Sequence, residues 1–214
     1  MCTTVTPPIL VDQQDRNPSL RLDRLETFRT LSTRMAPYAD DILAQKISVI
    51  EYRNMKFLIM DSPCDQNIQL YLYELKKHNV VDVVRACTPC YSDDVFIQNG
   101  IRVHELKFQD GEAPPSAILC KFLEIARSRF PPADRAPRAA IAVHCVAGLG
   151  RAPVLVATAL IEAGMKPLDA IEYIRARRRG AFNSKQIAYL DAYKKQTSPT
   201  SLKLKLNALF RRKD

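Results

Sequence analysis

The run Ala139-Ala140-Ile141-Ala142-Val143-His144-Cys145-Val146-Ala147-Gly148-Leu149-Gly150-Arg151 decides how this chain is read. Ala139 to His144 is a short, uninterrupted apolar strand of the kind that lies mid-sheet, covered on both faces. A loop with two glycines follows, and from Arg151 to about Ala163 the pattern is helical, with Gly164 as the stop signal. A loop of this length can curl so that its backbone N–H groups converge on one point, and glycine permits the backbone angles that this needs. The helix adds its positive N-terminal end. Arg151, separated from Cys145 by five residues, brings a guanidinium that grips two oxygens at once. Together these groups suit a tetrahedral dianion such as phosphate. The expected ligands are the backbone of Val146, Ala147, Gly148, Leu149 and Gly150, with Arg151. The same field stabilises a thiolate at Cys145 and makes it a nucleophile. The alternative is a buried structural thiol beside a capping loop; the strand, the glycines and the helix together favour the chemical reading. His144 is expected to hydrogen-bond to the loop backbone and hold the cysteine in place, against the alternative of a packed core histidine.

Working outward, strands and helices alternate. Ile47 to Ile50 and Lys56 to Met60 read as strands joined by a turn at Arg53-Asn54. Ile68, Leu72 and Leu75 share a helical face that ends near Asn79. Val80 to Arg85 is a buried strand and Ile101 to Leu106 another. Pro114-Pro115 opens a helix to about Phe130, and Pro131 to Pro137 is a linker. Two more helices follow, from Pro167 to about Arg179 and from Asn183 to about Lys195. This order predicts an α/β three-layer sandwich with a mainly parallel central sheet flanked by helices, its ligands at the carboxyl ends of the strands. Residues 46–197 form the expected domain, and 198–214 a basic tail. Residues 1–45 form an extension, polar and disordered at first, with one helix suggested by Leu25, Phe28, Leu31 and Met35.

Composition narrows the function classes. With 47% hydrophobic and 26% charged residues the chain is an ordinary globular protein. No apolar run reaches the length of a membrane span, and no secretory signal is visible at the start. The six cysteines therefore read as cytosolic thiols. The net charge of +9 points to an anionic partner without choosing one. The cluster Arg175, Arg177, Arg178 and Arg179 reads equally as an anion patch or a solvated helix face. Nucleic acid is disfavoured, because no base-stacking aromatic cluster accompanies the charge.

The Cys-x5-Arg loop is the signature of the protein tyrosine phosphatase superfamily. The longer run from His144 to Ala157, and Arg178-Arg-Gly-Ala-Phe-Asn-Ser-Lys-Gln186, closely resemble the phosphatase of regenerating liver (PRL) family. Arg53-Asn-Met-Lys-Phe-Leu-Ile59 and Glu74-Leu-Lys-Lys77 are similar to earlier PRL segments. The resemblance spans about Ile47 to Tyr193. It implies a dual-specificity-phosphatase-like fold and a cysteine-dependent phosphoester hydrolase that works through a phosphocysteine, on phosphotyrosine or with dual specificity, without metal or cofactor.

A phosphatase also needs a general acid for the leaving oxygen. Asp110 follows a strand end and so lies on the edge that holds Cys145; the alternative is a plain Asp-Gly turn. In PRL proteins a Trp-Pro-Phe-Asp-Asp-Gly-Ala-Pro-Pro segment carries the acid on its second Asp, which matches Asp110. Here Leu106, Lys107 and Gln109 depart from that pattern, and Glu112 looks inserted. Ala152 stands where many superfamily members have Ser or Thr, and the PRL family shares the alanine; slow turnover is expected. The resemblance also implies a reversible disulfide between Cys87 and Cys145. Cys87-Thr88-Pro89-Cys90 is a C-x2-C as well, but it lacks a second zinc half-site and the context of a thioredoxin motif.

As partners, the resemblance implies phosphorylated proteins or, as the rival reading, the regulatory domain of a CNNM-type magnesium transporter bound through the catalytic pocket. A phosphoinositide substrate is a third reading. PRL chains usually end in a prenylated cysteine box; this sequence ends Phe210-Arg-Arg-Lys-Asp214, without one. A cytoplasmic location is expected, with weak contact to anionic membrane through the basic tail.

Overall fold

The computed structural model describes residues 46–131 and 139–195. The expected amino-terminal extension and its helix, most of the Pro-rich linker and the basic tail lie outside the described residues.

Five strands form one sheet: β1 (Ile47–Tyr52), β2 (Met55–Met60), β3 (Val80–Arg85), β4 (Arg102–Glu105) and β5 (Ala140–His144), in the spatial order β1-β2-β5-β3-β4. β1 and β2 are an antiparallel hairpin turning at Arg53, whose φ is +54°. The remaining pairings are parallel. The strand from the deciding run, β5, lies at the centre and is buried along its whole length. Its period-2 alternation supplies both cores. Ile141 and Val143 join Phe57, Ile59 and Val84 on one face, and Ala140 and Ala142 join Leu58, Met60 and Val83 on the other.

The first face is covered by α3 (Ser116–Arg129), α4 (Arg151–Glu162), α5 (Pro167–Arg177) and α6 (Ser184–Asp191). The second is covered by α1 (Ile68–Lys77) and the short α2 (Asp94–Gln98), which the sequence pattern does not signal. Helix α4 is buried on all sides, with only Glu162 not fully covered. That is why it reads as continuously apolar rather than amphipathic. Asn183 caps α6 in a reciprocal capping box with Gln186. The layers match the expected three-layer α/β sandwich.

In β3, the buried carboxylate of Asp82 is held by Arg102 and His104 of β4 and by Arg129 of α3. A charge so deep persists because each oxygen has a cationic partner. No helix among the described residues is long and apolar enough to cross a membrane.

Candidate active site

Register aligns the carboxyl ends of the central strands: Met60 of β2 and Arg85 of β3 both pair with His144 of β5. The residues that follow, Asp61-Ser62, Ala86-Cys87 and Cys145, therefore emerge on one edge. The segment after β4 carries Asp110 to the same edge, where it meets Arg151. The structure thus brings together the residues singled out from the sequence.

The loop after Cys145 is anchored from outside by its carbonyls. Val146 O accepts from the Ser62 N–H at 2.9 Å, and Leu149 O from the Phe182 N–H at 2.7 Å. Ala147 O and Gly148 O accept from Arg178 Nη2 and Nε at 3.0 and 3.1 Å. In a trans peptide the next N–H points opposite to the carbonyl, and no cis bond occurs among the described residues. Four outward carbonyls in succession therefore turn the N–H groups of Ala147, Gly148, Leu149 and Gly150 inward. That is an anion-binding nest built on a helix N-terminus.

Arg178 departs from the solvated-face alternative for the arginine cluster. It is not on a solvated face: it is buried, and its third nitrogen, Nη1, donates to Lys46 O. Burial pushes its pKa down, against the pull of Asp61 and Cys145. Gly148 is required beside it. Its φ is +69°, and a Cβ there would run into the Met60 carbonyl and the Arg178 guanidinium. Nearby, Arg175 binds the Ala181 and Phe182 carbonyls and Arg177 that of Tyr173, so three arginines of the cluster serve the local backbone.

Cys145 is 2% exposed, at the base of the loop. Arg151 is almost as deep, with Nη1 reaching Ala86 O and Phe108 O at 3.4 Å. Its Nε lies 3.1 Å from Asp110 Oδ1, close enough for an ion pair although the N–H is not aimed well enough to count as a hydrogen bond. The Asp110 side chain is 70% exposed, so this pair joins a solvent-facing carboxylate to a buried guanidinium. Asn183 Nδ2 donates to Gly111 O at 2.9 Å, and Lys185 Nζ lies 2.9 Å from Glu112 Oε1. Glu112 thus has a partner of its own in the first turn of α6.

A cleft of about 410 Å³ opens beside the loop, lined by Asp110, Leu149, Gly150, Phe182, Asn183 and Gln186 among others. Gln186 is buried; its Oε1 accepts from the Asn183 N–H, while its Nε2 has no hydrogen-bond partner among the described residues. A Cβ on Gly150 would stand 3.2 Å from that nitrogen, so Gly150 lets the amide lie against the loop.

His144 holds the cysteine's own carbonyl. Its Nδ1 is 3.3 Å from Cys145 O and its Nε2 is 2.7 Å from the Tyr91 hydroxyl. Burial lowers its pKa to about 4, so the ring is neutral near pH 7. Cys87 is also buried on this edge. Burial pushes its thiol up, and Arg151 pulls it down; Cys90 and Cys145 are its charged-state neighbours.

Tyr91, Ser62, Arg178 and Gln186 are the site residues that the motif search passed over. Only the last two fall within a segment that resembled the family, and nothing in their spacing announces contact with the Cys145 loop.

No family model matches the chain. A solved structure of a Leishmania major protein described as a tyrosine phosphatase aligns over 70% of this chain and 99% of its own, with a TM-score of 0.61 and 38% identity. The fold is therefore that of the cysteine-based protein tyrosine phosphatases. A Dictyostelium discoideum protein described as a type IVA protein tyrosine phosphatase is 50% identical over 152 residues, 71% of this chain and 90% of the relative. The Drosophila melanogaster PRL-1 phosphatase is 50% identical over 147 residues, 69% of this chain and 82% of that one. The chain belongs to the PRL, or type IVA, family of protein tyrosine phosphatases.

Proposed function

We propose that the enzyme hydrolyses phosphoesters on phosphorylated proteins, with dual specificity, through a phosphocysteine on Cys145. The observation that carries this reading is the outward anchoring of the carbonyls of Val146 to Leu149. It leaves four N–H groups and Arg151 for the three non-bridging oxygens of a phosphoryl group. Cys145 Sγ attacks phosphorus in line, and the bond to the leaving oxygen breaks as Asp110 supplies its proton. Water then attacks the phosphocysteine, phosphate leaves, and the thiolate returns. The nest binds the charge that spreads over the oxygens in the transition state, and it requires no reorganisation at that moment. Ala152 is buried and carries no hydroxyl to help the thiolate depart, which makes the second step slow.

Cys87 is the partner of Cys145 under oxidation. The two buried thiols share the Arg151 neighbourhood, and their disulfide would block the nucleophile.

A second reading rests on the mouth of the site. Val146 and Leu149, 63% and 38% exposed, put an apolar rim on the Cys145 loop, and Leu149 also lines the cleft. Such a rim suits a protein partner, and the CNNM-type transporter regulatory domain is the candidate that the family resemblance supplies. Membrane contact would fall to the tail, outside the described residues.

Phosphate release from matched phosphotyrosine and phosphoserine peptides tests the catalytic reading. Turnover on both, abolished in Cys145→Ser, is expected. No release from either peptide, alongside tight binding of the transporter domain, would move the binding reading ahead.

A further inference from the structure

We propose that Cys87 and Cys90 form a second redox site, a surface C-x2-C dithiol that takes over a disulfide formed at Cys145 and returns Cys145 to its thiolate. It rests on the pairing of Cys145 with Cys87 proposed above and adds a third sulfur to it.

Three sulfurs run from the buried site to the surface. Cys145 and Cys87 are 2% and 1% exposed, whereas Cys90 is open to solvent. Ser62 holds the line together. Its backbone N–H anchors the Cys145 loop at Val146 O, and its hydroxyl lies 2.9 Å from Cys90 Sγ. Cys87 follows the end of β3 and Cys145 the end of the paired strand β5, where the Ala86 N–H donates to His144 O at 2.9 Å, and the Cys87 thiol feels the charge of both Cys90 and Cys145. Cys87 thus neighbours Cys145 across the strand ends and lies three positions before Cys90, whose sulfur is held by Ser62 and the Pro63 carbonyl. The C-x2-C spacing is one that disulfide exchange uses widely. Among the described residues no third His, Cys, Asp or Glu joins the pair in a group able to hold a metal.

The steps balance. A peroxide oxidises the Cys145 thiolate to a sulfenic acid, and the peroxide's second oxygen leaves as water. The Cys87 thiol attacks that sulfur, a second water departs, and the Cys87–Cys145 disulfide forms; two electrons have gone to the peroxide. Cys90, having lost its proton to solvent, attacks the Cys87 sulfur. The Cys87–Cys90 bond forms, the Cys87–Cys145 bond breaks, and Cys145 leaves as a thiolate with no further oxidation. The inward N–H groups and Arg151 stabilise the departing charge. A cellular dithiol then reduces the exposed Cys87–Cys90 bond, which it reaches more readily than the buried one.

The test uses the full chain and its Cys90→Ser and Cys90→Ala variants, neither of which touches the phosphate site. Each is treated with limiting hydrogen peroxide, the peroxide is removed with catalase, and aryl phosphate hydrolysis is followed without reductant while disulfides are mapped by peptide mass spectrometry. Wild type should regain most of its activity and accumulate Cys87–Cys90. Both variants should start with normal activity, stay inactive at least tenfold longer with Cys87–Cys145 intact, and recover on dithiothreitol. Equal recovery in all three proteins, or no Cys87–Cys90 in wild type, overturns the relay. If the variants form no Cys87–Cys145 disulfide, the pairing beneath the relay is itself wrong and both proposals fall.

Discussion

The Tyr91 hydroxyl and His144 Nε2 stand 2.7 Å apart in the protein interior, with His144 Nδ1 in turn 3.3 Å from the Cys145 carbonyl. With the ring neutral, the network assigns the proton to Nδ1, which donates to Cys145 O; Nε2 then accepts from Tyr91. Burial pushes the Tyr91 phenol up, so it stays the donor. A serial contact thus links α2's approach loop to the base of the phosphate nest. Tyr91→Phe would leave a buried acceptor without a donor, at about 1–3 kcal/mol of stability. Urea denaturation of the variant should show a lower midpoint with an unchanged slope.

His144 also gives the fold an acid limit. Its folded pKa is about 4 against 6.5 when unfolded, so between those values the unfolded chain binds the extra proton. Stability from this group is fully present above pH 6.5 and is lost as pH falls toward 4. The loss is on the order of 3 kcal/mol when complete. Chemical denaturation across that window, compared with Tyr91→Phe, checks the direction.

Arg178 is expected to matter for phosphate binding without touching phosphate. Arg178→Lys keeps the charge but loses the fork that holds two loop carbonyls and Lys46 O. The N–H groups behind those carbonyls lose their aim, and kcat/KM should fall by about 100-fold or more. Vanadate affinity should fall with it, while Arg179→Lys should leave both unchanged.

The acid loop offers a finer test. Gly111 has φ +74°, and a Cβ there would press on Asn183 Nδ2 at 3.2 Å. Gly111→Ala should displace Asp110 from its place beside Arg151. The rate on an aryl phosphate with a poor leaving group should drop roughly tenfold or more, while one whose leaving group needs no proton should change little. A uniform loss on both substrates would mean that Asp110 is not the acid.

What the sequence discloses here follows from distance along the chain. Strand β5, the Cys145 loop and the start of α4 are contiguous, so one run of residues carries the strand, the nest and the proposed nucleophile. Asp110 was reachable because a strand end precedes it, and the alternation of elements gave the parallel sheet. Tyr91 meets His144 across 53 positions and Arg178 meets Gly148 across 30. Such contacts depend on how the strand ends converge, which periodicity does not encode. A run of arginines reads as a charged face because composition cannot distinguish a guanidinium facing water from one facing carbonyls. Helix α2 has five residues, too few to display a period.

The central claim is that Cys145 carries the phosphoryl group within this nest. Rapid-mix intact mass spectrometry with an aryl phosphate, on wild type, Cys145→Ser and Asp110→Ala, tests it most directly. A gain of one phosphoryl group that requires Cys145, forms more slowly in Asp110→Ala, and decays slowly in wild type is expected. An adduct that survives in Cys145→Ser, or phosphate release from reduced wild type with no adduct at any time, would contradict it.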